Sequence, residues 1–93
     1  MTNILIYAES YKDACAFLDK LSYDFKFGEV EKVIRAGHYE VIMKDGTRYI
    51  AKTGVDSCRG IRFKKMYVDK RTSQRDINIL SYGFWLGEDI EYF

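Results

Sequence analysis

Residues 57–71, Ser-Cys-Arg-Gly-Ile-Arg-Phe-Lys-Lys-Met-Tyr-Val-Asp-Lys-Arg, decide how this chain is to be read. A polar turn carrying Arg59-Gly60 runs into a strand, Arg62 to Val68, that stops at an acidic residue, Asp69. Lys70 and Arg71 follow, and then the start of a helix. A strand that hands a carboxylate to its carboxyl end, with a helix next, is the pattern of an α/β sheet, in which ligands gather at that edge.

Upstream, Asn3 to Ala8 is an apolar run of the length of a buried strand. Glu9-Ser10 turns it into a helix, with Ser10 at the N-cap position and Asp13 at capping-box spacing. Tyr11, Ala14, Cys15, Leu18 and Leu21 fall on one apolar stripe, bordered by Phe17, so Cys15 is expected to face the core. Val30 to Ala36 reads as a short strand. Tyr39 to Lys44 and Thr47 to Lys52 flank Asp45-Gly46, a two-residue hairpin signal because both turn positions favour positive φ. Such a loop sets Val41 opposite Ile50 and Ile42 opposite Tyr49.

Downstream, Thr72 or Ser73 caps a second helix through Ile77, Leu80 and Tyr82, ended by Gly83 or Gly87. The order is β-α-β-β-β-β-α. It predicts one small domain over residues 1–93, α/β bordering on α+β, with a mixed sheet of about five strands and two helices. With one crossover helix, the first strand must pair parallel to a later one.

Composition narrows the function classes. The chain is 47% hydrophobic, with eight Tyr, six Phe and one Trp, the make-up of an ordered domain. Two cysteines, Cys15 and Cys58, and one histidine, His38, cannot assemble the usual four-ligand zinc site, so neither metal nor cofactor is expected. Unpaired cysteines and a start without signal character favour a reducing, cytoplasmic setting. No run approaches the ~20 apolar residues of a membrane span.

Charge is balanced but unevenly placed, with a net of +1. Residues 51–75 hold eight bases against Asp56 and Asp69, whereas the last eighteen hold four acids and no base. A basic middle and an acidic tail result.

The strand-helix opening, the Asp-Gly hairpin, and Ser57-x-Arg59-Gly60-x-Arg62-Phe63 before a strand ending in Asp69 together resemble part of a P-loop ATPase core. The likeness is to phage large terminases and related helicase-type motors, and it extends over most of residues 3–71. It implies that Asp69 stands at the Walker B aspartate and that Ile4 to Leu21 is the strand-helix unit of the core. The phosphate-gripping Gly-x-x-x-x-Gly-Lys-Ser/Thr is absent, however, and no Gly-Lys pair occurs anywhere. Lys70 follows Asp69 where a second carboxylate would polarise the attacking water. The resemblance therefore implies a truncated, degenerate core without ATP hydrolysis by that route.

Two groups of residues stand out as candidate contacts. Arg59, Arg62, Lys64, Lys65, Lys70, Arg71 and Arg75 form a basic run that reads either as a partner- or phosphate-binding edge or as a solvated face. Its two ends lie ~20 Å apart along one strand at ~3.3 Å per residue. Lys70, Arg71 and Arg75 also crowd a helix N-terminus, where an anion would relieve the repulsion. Tyr82, Trp85, Tyr92 and Phe93 beside acidic Gly87-Glu88-Asp89 read either as a protein-docking surface or as a tail closing the core. Asp69 is expected to cap its turn rather than hold a metal. His38 is read as a turn residue, with no nucleophile-base-acid set and no catalytic residue assigned. Cys58 beside Arg59 is either an incidental loop cysteine or a thiol of lowered pKa.

These features favour a non-enzymatic interaction protein of a phage or mobile element. It would bind a protein or nucleoprotein partner as an accessory or host-inhibitory, anti-CRISPR-like factor. The alternatives are a nucleic-acid-binding module accompanying a packaging or replication motor, and a residual nucleotide-binding enzyme.

Overall fold

The apolar run at the amino terminus becomes the centre of the sheet. In the computed structural model, which describes residues 2–83 and 89–93, β1 (Thr2–Tyr7) pairs in parallel with β4 (Thr47–Lys52) and with β5 (Lys65–Val68). The part of such a strand that has neighbours on both edges and helices over both faces must be apolar. Leu5, Ile6, Tyr7 and Ala8 are accordingly all buried. Successive side chains point to opposite faces, so Leu5 and Tyr7 enter one core and Ile6 and Ala8 the other.

Among the described residues the sheet has six strands, in the order β2-β3-β4-β1-β5-β6. It is mixed: β2 (Val30–Ile34) and β3 (Glu40–Met43) are antiparallel, as are β3 and β4, while β6 (Ile90–Tyr92) runs parallel to β5. Helix α1 (Tyr11–Ser22) buries Ala14 and Leu18 against Ile6, Val41 and Ala51 on one face. Helix α2 (Gln74–Gly83) packs Ile77 and Leu80 against Leu5, Tyr7, Phe63, Met66 and Val68 on the other. A single small α+β domain with two helices results, and its sixth strand is one more than the sequence pattern predicts.

Three local expectations are corrected. The hairpin turn is longer by one residue. Val41 lies opposite Tyr49 and Ile42 opposite Arg48, not opposite Ile50 and Tyr49. Only Gly46 takes positive φ, at 93°, while Asp45 stays in an ordinary conformation and accepts the Thr47 N–H at 2.9 Å. Lys44, Asp45 and Gly46 thus make a three-residue loop ending in a left-handed glycine. The Ser10-Asp13 capping box does not form: the Ser10 side chain caps nothing, and its backbone carbonyl accepts the Asp13 and Ala14 N–H groups. The strand read as Arg62 to Val68 begins as a continuous strand only at Lys65: Phe63 forms an isolated bridge and the chain bends at Lys64, although the Lys64 N–H already reaches the Asn3 carbonyl at 2.9 Å.

Candidate functional site

The connection after β1 crosses one face of the sheet, and the connection after its neighbour β5 crosses the other. Where adjacent strands send their chains to opposite faces, their carboxyl ends part and leave a crevice. Here it is floored and walled by Glu9, Ser10 and Asp13 from the start of α1, by Asp69, Arg71 and Thr72 from the end of β5, and by Phe93. Its two lobes enclose about 330 and 350 Å³.

Arg71 is the focus of this site. Its Nη2 reaches Asp69 Oδ2 at 2.6 Å and Asp13 Oδ2 at 2.9 Å, and its Nε reaches Asp69 Oδ1 at 3.1 Å. Asp69 Oδ1 also accepts the Arg71 backbone N–H at 2.9 Å, an Asx turn that fixes the bend after β5. The Asp69 side chain is 6% exposed while the Arg71 side chain is 71% exposed, so the cation is held from below and shown to solvent. The Arg71 guanidinium, by hydrogen bond above all, holds the Asp69 carboxyl below its usual range, and Asp69 in return pushes the Arg71 pKa up. Asp69 is thus an anchor that also turns the chain, in line with the capping expected of it.

Around Arg71 the chain supplies an apolar floor and two further lysines. The Phe93 ring stacks on Phe17 with centroids 4.0 Å apart and planes 14° from parallel, and Phe17 meets Tyr67 at 5.4 Å. Backbone bonds from Phe93 N to Val68 O and from Lys70 N to Phe93 O pin the carboxyl terminus against β5. Lys20, from the last turn of α1, and Lys70 border this lobe. Across the other lobe, Glu9 Oε1 accepts the Ser73 N–H at 3.1 Å, and the Ser73 hydroxyl accepts the Asp76 N–H at 3.2 Å, capping α2 as its sequence spacing predicts. Beneath, Tyr7 donates from its hydroxyl to Asp76 Oδ2 at 3.3 Å. Thr72 is buried, and its hydroxyl has no hydrogen-bond partner among the described residues.

The basic run is distributed over several regions. Lys70, Arg71 and Arg75 stand at the carboxyl end of β5 and in the first turn of α2. Arg59, Arg62 and Lys64 precede β5, where Asn3 binds the Arg62 carbonyl at 3.3 Å and Arg59 pairs with Asp56 at 3.2 Å. Lys65 points to the α1 face, paired with Glu91 at 3.2 Å and lying over the Tyr67 ring. The aromatic group divides as well. Phe93 joins the α1 face, Tyr82 and Tyr92 are exposed on α2 and β6, and Trp85 with Phe84, Leu86 and Gly87 lies outside the described residues. Cys58 is fully buried in the α2-side core, and burial pushes its thiol pKa up, the reverse of a reactive thiol. Cys15 is partly buried against the α1-side core. His38 pairs with Glu40 at 3.0 Å, whose buried carboxylate also holds Arg48.

Sequence reasoning missed Glu9, Asp13, Phe17 and Lys20, which reach the crevice only because α1 crosses back over the sheet. It also missed a second concavity, of about 580 Å³, between the end of α1 and β2. Phe25, Val30, Val33, Tyr39 and Val41 supply its apolar lining, and Phe27 on its rim is 98% exposed. No family model, curated protein or solved structure matches this chain.

Proposed function

We propose that this chain is a non-enzymatic interaction protein that binds a protein partner, with the Arg71 crevice as its contact. The observation that carries this reading is the Arg71 guanidinium itself. Asp69 and Asp13 fix it in place, yet most of the side chain faces solvent. A guanidinium already held in one orientation loses little freedom when its remaining Nη1 N–H groups take a carboxylate. Lys20 and Lys70 beside it add positive charge, and the Phe17–Phe93 pair adds an apolar surface. The combination suits an acidic side chain or chain end next to an apolar one, the anchor-in-pocket pattern of protein interfaces. Separation of Arg59 and Arg62 from Lys70 and Arg71 by the length of β5 favours a compact protein contact over a continuous phosphate track.

The test is capture from lysate of the source cells on immobilised wild-type chain, Arg71→Glu and Phe93→Ala, with nuclease treatment and a salt series. Wild type is expected to retain a nuclease-resistant protein that both variants lose. Retention of the same species by Arg71→Glu refutes the crevice as the contact. Loss of the bound species to nuclease, with log affinity falling steeply against log salt, refutes the protein partner in favour of nucleic acid.

A further inference from the structure

Strand β2 forms one edge of the sheet, and among the described residues nothing pairs with its outer side. Its exposed backbone groups can be assigned. Tyr39 O and Met43 O accept from Ala51 N and Gly46 N, so the odd residues of β3 turn their backbone groups toward β4. The even ones, Glu40 and Ile42, then face β2, and their partners Ile34 and Lys32 point inward. Val33, between them, presents its N–H and C=O outward. Its side chain is 48% exposed and lines the α1-side groove together with Phe25 and Phe27. An open edge of this kind is a template for another strand.

We propose that the strand added there is β2 of a second copy of this chain, running antiparallel about a two-fold axis through Val33. An axis perpendicular to the sheet keeps each face on its own side, so opposed residues must share a face. Centred on Val33, the pairing puts Val33 against Val33 and brings Glu31 of each copy, at the bulge between Val30 and Lys32, beside Arg35 of the other, just past the end of β2. Both charged residues are exposed and lie on the groove lining. Moving the axis to Lys32 opposes lysine to lysine, and moving it to Glu31 opposes glutamate to glutamate, both destabilising. Moving it to Ile34 sets Val33 against Arg35. Charge therefore selects this register, and in it Val33 exchanges both of its outward hydrogen bonds with Val33 of the other copy. Each copy contributes the same patch, as a closed two-fold interface requires. The two grooves then lie side by side on one face of a continuous sheet. This surface is separate from the Arg71 crevice, and the inference does not depend on the function proposed for it.

Sedimentation velocity from about 1 μM to about 1 mM chain tests it. A monomer–dimer equilibrium is expected. Glu31→Arg and Arg35→Glu each place like charges across the strands twice over, raising the dimer Kd roughly tenfold or more. Joined in one chain, the two changes restore opposite charges and return the Kd to within about threefold of wild type. Val33→Lys sets ammonium against ammonium at the axis without touching the Arg35–Asp19 pair, and it gives a monomer with unchanged circular dichroism. A wild-type chain that stays monomeric throughout overturns the proposal. So does a dimer that Val33→Lys leaves intact, or one in which the doubly reversed chain is no tighter than the single reversals.

Discussion

Tyr7→Phe isolates the bond that ties α2 to the sheet beneath the crevice. The change removes one hydroxyl and leaves a buried ring of the same shape, so no cavity forms. What is lost is the bond to Asp76 Oδ2, which at 3.3 Å is long, together with the hydroxyl's contact to the Gly54 backbone N–H. Its net contribution belongs at the ordinary value of about 1 kcal/mol rather than at the upper end for charged acceptors. In a domain of this size that lowers the Tm by roughly 4–8 °C. Burial first, and the Asp76 carboxylate second, push the Tyr7 pKa up to about 12. The folded chain therefore holds this proton more tightly than the unfolded chain, whose tyrosines titrate near ~10. The stability that the hydroxyl contributes is complete below that lower value and is lost as pH rises through the folded one. The full shift would amount to at most about 2.7 kcal/mol. Urea unfolding followed by circular dichroism, at neutral pH and in steps through the alkaline range, should show Tyr7→Phe less stable at neutrality. The gap should close, and then reverse, as pH rises. Equal stability at neutral pH, or a gap that does not change with pH, would refute the reasoning.

Two further outcomes follow from the fold. Gly46→Ala meets no atom within 4 Å, so its cost is backbone conformation alone at φ 93°. Urea titration should show a loss of about 1 kcal/mol or somewhat more, and no loss would mean the turn can relax. A thiol reagent at neutral pH should modify Cys15 well before Cys58, which is fully buried with a raised pKa, and Cys58 should react only at the rate of unfolding. Fast labelling of both cysteines in the folded chain would contradict the packing around Phe63 and Met66.

The fold was legible wherever the pattern was local. An unbroken apolar run marked β1, a stripe at helical spacing marked α1, and Thr47 to Lys52 coincides with β4. The hairpin was found but its register was not. Asp-Gly fits both a two-residue loop and the end of a three-residue one, and the choice rests on the φ of Asp45. Strand β6 was invisible for a different reason. Three residues, Ile90-Glu91-Tyr92, are too short a run to mark a strand even though Ile and Tyr favour one, and they are held by pairing with β5. The candidate site was half legible. Lys70, Arg71 and Phe93 drew notice by charge and aromaticity, whereas Asp13 meets Arg71 across 58 positions of chain, a distance no spacing rule spans.

The two surfaces place geometric limits on each other. Pairing through β2 makes the strands of the two copies antiparallel, so their crevices open at opposite ends of the joined sheet. Each crevice lies beyond β3 and β4, between β1 and β5. At about 4.8 Å per strand the two are therefore roughly 40 Å apart across the sheet, facing away from one another. One small partner cannot reach both, so dimerisation adds no avidity toward a monomeric partner and the complex holds one partner per chain. Only a partner that is itself an array, with sites at least that far apart, would bind the paired chain more tightly than the single one. Val33→Lys separates these cases. A monomeric chain that keeps its Arg71-dependent affinity has a small, single-site partner. A chain whose affinity falls with dimerisation, its crevice intact, is built to bridge.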